Sequence, residues 1–154
     1  MANRPKVLIT GVSGLIGGLV LRDLSGKYEF SGLSRRAVAG IPHTQADITD
    51  FDKVRAASRG MDMVLHLAAE TQDYDDWDKV MSNTMGGTLN MYRAAQEAGV
   101  KRVVFMSTGS TMCGYGWYEG SPYGKLAANE LQKLPANQKM LSYLDPPRPD
   151  SFYG

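Results

Sequence analysis

With 154 residues, 43% of them hydrophobic and 21% charged, the chain has the length and composition of one soluble globular domain with a substantial core. A net charge of +1 gives no electrostatic case for nucleic acid or an anionic membrane surface. The single cysteine, Cys113, rules out an internal disulfide framework and points to a reducing cytoplasm, and two histidines far apart from it offer no metal-ligand cluster. The N-terminal stretch MANRPKVLIT has no signal-peptide core, and no apolar run approaches the length of a membrane span.

Lys6 to Val20 reads KVLITGVSGLIGGLV. Val7, Leu8 and Ile9 predict a buried strand, and an apolar-periodic helix follows over Leu15–Leu24 with a face of Leu15, Ile16, Leu19, Val20 and Leu24. Between them fall Gly11, Ser13, Gly14 and, inside the helix, Gly17. Gly11 suits the sharp exit from the strand, Gly14 a close approach of pyrophosphate to the backbone, and Gly17 tight packing of helix on strand. The unpaired N–H groups around Leu15 and Ile16 would face the phosphates. Strand, glycines and helix in this order predict a dinucleotide site.

Phe30 to Leu33 predicts a second strand, ending in Ser34-Arg35-Arg36. An NAD site usually carries a carboxylate there for the ribose 2′-hydroxyl, whereas a serine and two arginines suit a 2′-phosphate. The residues favour NADP(H), with NAD(H) the alternative. Residues 37–44 read as a linker. Asp47 and Ile48 precede Asp50, an N-cap for a helix over Phe51–Ser58. Asp47 is either a turn residue or an acceptor for an adenine amino group.

Met63 to Leu67 predicts a third buried strand, and the small Ala68 and Ala69 after it leave room for a cofactor. His66 reads as a packed histidine. The acidic run Asp73 to Asp78 is an exposed loop lacking the glycine and glutamate of a calcium site. Asn83 to Asn90 opens a helix to Ala98 that Gly99 ends. A fourth buried strand over Arg102–Met106 feeds Ser107-Thr108-Gly109-Ser110-Thr111, where a doubly wound sheet places its site. Ser121 to Leu134 contains a further short helix, and the proline-rich tail from Asp145 is extended. Alternating strands and helices predict a three-layer α/β domain over 1–154, loop-rich from residue 115, with a parallel sheet in the order 3-2-1-4.

The chain resembles the extended short-chain dehydrogenase/reductase family of NAD(P)-dependent sugar epimerases, dehydratases and uronate dehydrogenases. The matching pieces are Thr10-Gly11-x-x-Gly14-x-x-Gly17, Asp47-Ile48, Leu65-His66-Leu67-Ala68-Ala69, Asn83 with Gly87-Thr88-Leu89-Asn90, and Ser107-Thr108. The resemblance implies cofactor contacts from these segments, including Leu67, Asn83 and Ser107, and hydride transfer on a sugar or uronate-like substrate. It also implies a Ser or Thr that polarises the substrate and a Tyr-x-x-x-Lys pair that exchanges its proton. Alignment on the strand end gives Thr108 for the hydroxyl; counting back from Gly114 gives Gly109. Tyr123 is two residues from Lys125, the wrong spacing for one helix face. Tyr153, in RPDSFYG, fits the family's run better, and the chain ends before the lysine four residues on. The chain therefore reads as the cofactor-binding front half of such a protein, with catalysis doubtful. Two other readings stand beside it. One is a non-catalytic dinucleotide-binding or interaction module completed by a partner. The other is the plant-type enone reductases, whose loop lysine would fall at Ser110 or Thr111. An open sheet edge predicts a homo-oligomer under either of the first two readings.

Overall fold

The computed structural model describes residues 4–73, 75–118, 121–134 and 136–154. Met1–Asn3 of the N-terminal stretch and Tyr74 of the acidic run lie outside them. The described residues form five strands in chain order: β1 (Lys6–Thr10), β2 (Glu29–Ser34), β3 (His43–Gln45), β4 (Met63–His66) and β5 (Arg102–Phe105). All pair in parallel in the order β3-β2-β1-β4-β5. The expected 3-2-1-4 order is present, continued by β5, and its third place goes to a strand that begins inside the segment read as a linker. His43–Gln45 is three residues long and half exposed, so it has no apolar run to announce it. Its pairing with Gly32–Ser34 makes it a strand.

The helices between these strands are α1 (Leu15–Leu24), α2 (Phe51–Ser58), α3 (Trp77–Lys79) and α4 (Gly87–Glu97), the last two joined by a π-helical stretch, Val80–Gly86. Side chains along β1 alternate between the two faces of the sheet. Leu8 packs with Val64, Val54, Met91 and Ala94, a cluster drawn from the strands, α2 and α4. Val7 and Ile9 pack with Phe30, Val20, Leu21 and Leu24 on the α1 face. Leu8 is fully buried, a contribution of about 2–3 kcal/mol from its side chain. Asp50 caps α2 by accepting from Lys53 N at 3.2 Å, as expected from the sequence. Gly99 ends the run after α4 with a φ of +69°.

Two sequence expectations need correction. The expected apolar face of α1 is only partly inward: Val20 and Leu24 pack on the core, but Leu15 is 82% exposed and Ile16 and Leu19 are also exposed. The first turn of α1 follows the glycine turn, and Leu15 and Ile16 line the cavity there. The strand expected to be buried over Arg102–Met106 is an edge, with Val104, Phe105 and Met106 all more than 40% exposed. Among the described residues it pairs only with β4, so its apolar composition does not translate into burial.

The chain divides into two compact units, 1–106 and 107–154. The sheet and its helices form the first. The second holds α5 (Ser110–Cys113), α6 (Pro122–Ala127) and two single 3₁₀ turns, Gly114–Gly116 and Leu131–Lys133. Ser121 caps α6 by accepting from Tyr123 N, with Pro122 in the first turn. The tail is tied to α5 through Gly114 N to Arg148 O and Arg148 N to Thr111 O, both 2.8 Å. The Arg148 guanidinium lies over the rings of Tyr118 and Tyr115, at 4.5 and 5.2 Å.

Candidate functional site

At the carboxyl ends of β1, β2 and β4 the first unit encloses a cavity of about 610 Å³. It opens where the glycine turn leaves β1. Gly11 sits at φ +70°, and a Cβ there would stand 2.9 Å from Ala68 N. Both facts require glycine. A Cβ on Gly17 would meet Val12 O at 2.4 Å, which is the close packing of helix on strand. Gly11 N donates to Leu33 O and Gly14 N to Gly11 O, fixing the turn. No side chain caps α1 at Gly14, and its first turn carries no acidic residue, so its N–H groups and positive helix end are available to an anion.

The expected cofactor residues converge here. Gly11, Ser13, Gly14, Leu15, Ile16 and Gly17 line one side of the cavity; Ser34, Arg35 and Arg36 its rim; Asp47, Ile48, Leu67, Ala68, Ala69 and Asn83 the remainder. Ser107 is not among the lining residues and belongs to the second unit. The glycine turn, the small residues after β4 and the absence of any Cβ at Gly11 and Gly14 leave a cradle that fits a pyrophosphate.

The arginine loop is held in place from β3. Ser34 Oγ donates to Arg36 O at 2.8 Å and accepts from His43 Nε2 at 2.9 Å. Gln45 Nε2 donates to Arg35 O at 3.0 Å, and Arg36 Nη2 to Ser13 O at 3.1 Å. His43 and Gln45 escaped sequence reading because β3 did. Asp47 Oδ1 accepts from the backbone and hydroxyl of Thr49, at 2.9 and 2.8 Å, so it does form a turn while also lining the cavity. Partial burial raises its pKa, but the Thr49 bonds and the Arg35 charge outweigh that and hold the carboxyl below its ordinary range.

Glu70 was missed, and its signal was its place directly after the Ala68-Ala69 pair. It lines the cavity and is 8% exposed. Its Oε1 accepts from the N–H groups of Gln72 and Asp73, and its Oε2 from Asn83 Nδ2 at 3.3 Å. The Gln72 bond, then the Asp73 and Asn83 bonds and Arg35, lower its pKa against the opposing effect of burial. Thr71 and Gln72 complete that wall.

His66 is the packed histidine the sequence suggested. It is 1% exposed, and burial lowers its pKa to about 4.

The hydroxyl candidates lie in the second unit. Thr108 Oγ1 accepts from Ser110 N, and Thr108 O accepts from the Thr111 hydroxyl at 2.7 Å. Tyr153 is half-buried. Tyr123 donates to Lys139 O and Lys125 to Lys133 O, so each is engaged elsewhere, as their spacing demanded. Among the described residues no cluster of His, Cys, Asp or Glu could hold a metal ion, and no helix is long and apolar enough to cross a membrane.

The model of the NAD-dependent epimerase/dehydratase family matches residues 7–139. The chain belongs to that family. It is 32% identical over 149 residues to the L-arabinose 1-dehydrogenase (NAD(P)(+)) of Haloferax volcanii, covering 97% of this chain and 56% of that one. It is 26% identical over 155 residues to the uronate dehydrogenase of Pseudomonas putida, covering 97% and 50%. A UDP-glucose 4-epimerase from Thermus thermophilus, solved in complex with NAD, superposes with a TM-score of 0.74 at 26% identity, covering 96% and 46%. The chain thus spans about half the length of these relatives. Relatives of this kind do not favour the interaction-module reading.

Proposed function

We propose that this chain binds NADP(H) in preference to NAD(H) and belongs to an oxidoreductase or epimerase acting on a sugar or uronate-like substrate. The observation that carries the reading is the cavity itself. The glycine turn, the uncapped start of α1, Ala68-Ala69 and the braced Ser34-Arg35-Arg36 loop all line one space. Gly11 and Gly14 would admit the pyrophosphate, and Arg35 and Arg36 would take a 2′-phosphate by charge-assisted hydrogen bonds. A bound dinucleotide supplies the hydride donor or acceptor at its nicotinamide. Thr108 is the proposed hydroxyl that polarises the substrate and Tyr153 the proposed proton carrier. A positioned acid–base group of this kind is worth about 10²–10⁴-fold in rate.

The free, exposed Cys113 suits a reducing compartment, and the cytoplasm is the proposed location. A homo-oligomer is proposed from the exposed apolar side chains of Met85, Leu89 and Tyr92 along one helical segment.

Fluorescence titration with NADPH and, separately, NADH tests the cofactor reading. Saturable binding of both with NADPH tighter is the expected result. Tighter NADH binding would retire the arginine argument and keep the site, and no binding of either would overturn the function.

A further inference from the structure

Thr10 and His66 stand side by side at the carboxyl ends of β1 and β4, and both are buried. Thr10 Oγ1 lies 3.2 Å from the backbone N of Leu67 and 3.2 Å from that of Ala68, accepting from both, and the Leu67 N–H is shared with Thr10 O, also at 3.2 Å. A hydroxyl oxygen has two lone pairs and one hydrogen. With both lone pairs engaged, the hydrogen is left for His66 Nδ1, 2.6 Å away. The imidazole then carries its proton on Nε2 and donates it to Thr88 Oγ1 in α4 at 3.0 Å. The third neighbour is the Phe105 ring of β5, 5.7 Å centroid to centroid. Thr10, Thr88 and Phe105 are all uncharged, so no titratable group among them competes for the ring.

Ala68 N, held by Thr10, is the atom that a Cβ on Gly11 would strike. The hydroxyl therefore sets how closely the chain after β4 approaches the glycine turn, and both sides of that approach line the cavity. We propose that His66 is a positioning residue of the dinucleotide site. By accepting the Thr10 hydrogen at Nδ1, it keeps both Thr10 lone pairs turned to Leu67 and Ala68 and so sets the spacing between Ala68 and Gly11. A ring protonated at Nδ1 would force Thr10 to accept there, leaving one lone pair for two backbone N–H groups, of which that of Leu67 also donates to Thr10 O at 3.2 Å.

The inference rests on the cofactor reading, and the two fail differently. The test uses the 154-residue chain at pH 7, with NADP+ affinity measured calorimetrically and folding checked by circular dichroism. His66→Asn places a carbonyl near the Nδ1 position and should keep Kd within about threefold of the original. His66→Leu and Thr10→Val should each raise Kd at least tenfold, and the double substitution should be no worse than the weaker-binding single one. In parallel, ¹⁵N spectra of the imidazole should show Nε2 protonated and Nδ1 bare, a readout independent of whether any variant folds. A folded His66→Leu variant that binds as the original does, or a ring protonated at Nδ1, overturns the inference. An original chain that binds neither dinucleotide overturns the cofactor reading instead.

Discussion

Asn83 Nδ2 donates to Glu70 Oε2 at 3.3 Å, joining the π-helical stretch before α4 to the loop after β4 across one wall of the cavity. Glu70 uses its other oxygen for Gln72 N and Asp73 N, so one carboxylate organises the turn and its attachment. Asn83 accordingly contributes to the site through Glu70 as well as by lining it.

Glu70→Ala removes all three acceptor contacts and should cost about 1–3 kcal/mol of stability by urea denaturation. Glu70→Gln keeps an acceptor for Gln72 and Asp73 and should recover more than half of that loss. NADPH affinity should fall with Glu70→Ala. A variant as stable as the original would show that the turn holds without its carboxylate.

Glycines of the first turn should separate cleanly when each is changed to alanine. Gly11→Ala meets Ala68 backbone at a φ of +70°, and Gly17→Ala would put a Cβ 2.4 Å from Val12 O. Each should lose about 1–3 kcal/mol, with dinucleotide binding abolished or severely weakened. At Gly18, also in α1 and exposed, a Cβ would meet nothing among the described residues within 4 Å, so Gly18→Ala should gain up to about 1 kcal/mol from helix propensity. Thermal melts of the three variants distinguish packing from mere helix composition.

Removing Arg35 by substitution to alanine should weaken NADPH binding by about tenfold or more while leaving NADH within about threefold, since only the former carries a 2′-phosphate. Gln45→Ala, which frees Arg35 O from its brace, should produce a smaller loss in the same direction. Equal losses for both cofactors would show that the arginine serves the turn rather than the phosphate.

Stability should depend on pH through His66. Its folded-state pKa is lowered to about 4, against an ordinary value near 6.5. Below pH 6.5 the unfolded chain takes up a proton that the folded chain does not, so stability falls with pH down to about pH 4. The full loss is about 3 kcal/mol. Urea midpoints should decline across that window, and His66→Asn should flatten the decline. Asp47 and Glu70, whose pKa values are lowered, add their own losses only further down, below the ordinary carboxylate range.

Features with short-range causes were legible along the chain. The apolar run Val7–Ile9, the glycine spacing, the Asp50 cap and the small pair Ala68-Ala69 each have a cause within a few residues, and each is where it was expected. That was enough to bring together most of the residues that line the cavity, because a strand, turn and helix in that order have few ways to pack. The rest depends on packing in three dimensions. β3 is a strand because Gly32–Ser34 stands beside it, and its His43 and Gln45 brace the arginine loop through that pairing. β5 is exposed despite its composition because, among the described residues, it has one strand neighbour rather than two. Glu70 and His66 take their roles from Asn83, Thr10 and Thr88, residues distant in sequence. Burial and hydrogen-bond partnership are properties of neighbours in space, and a linear pattern carries them only where those neighbours are also close along the chain.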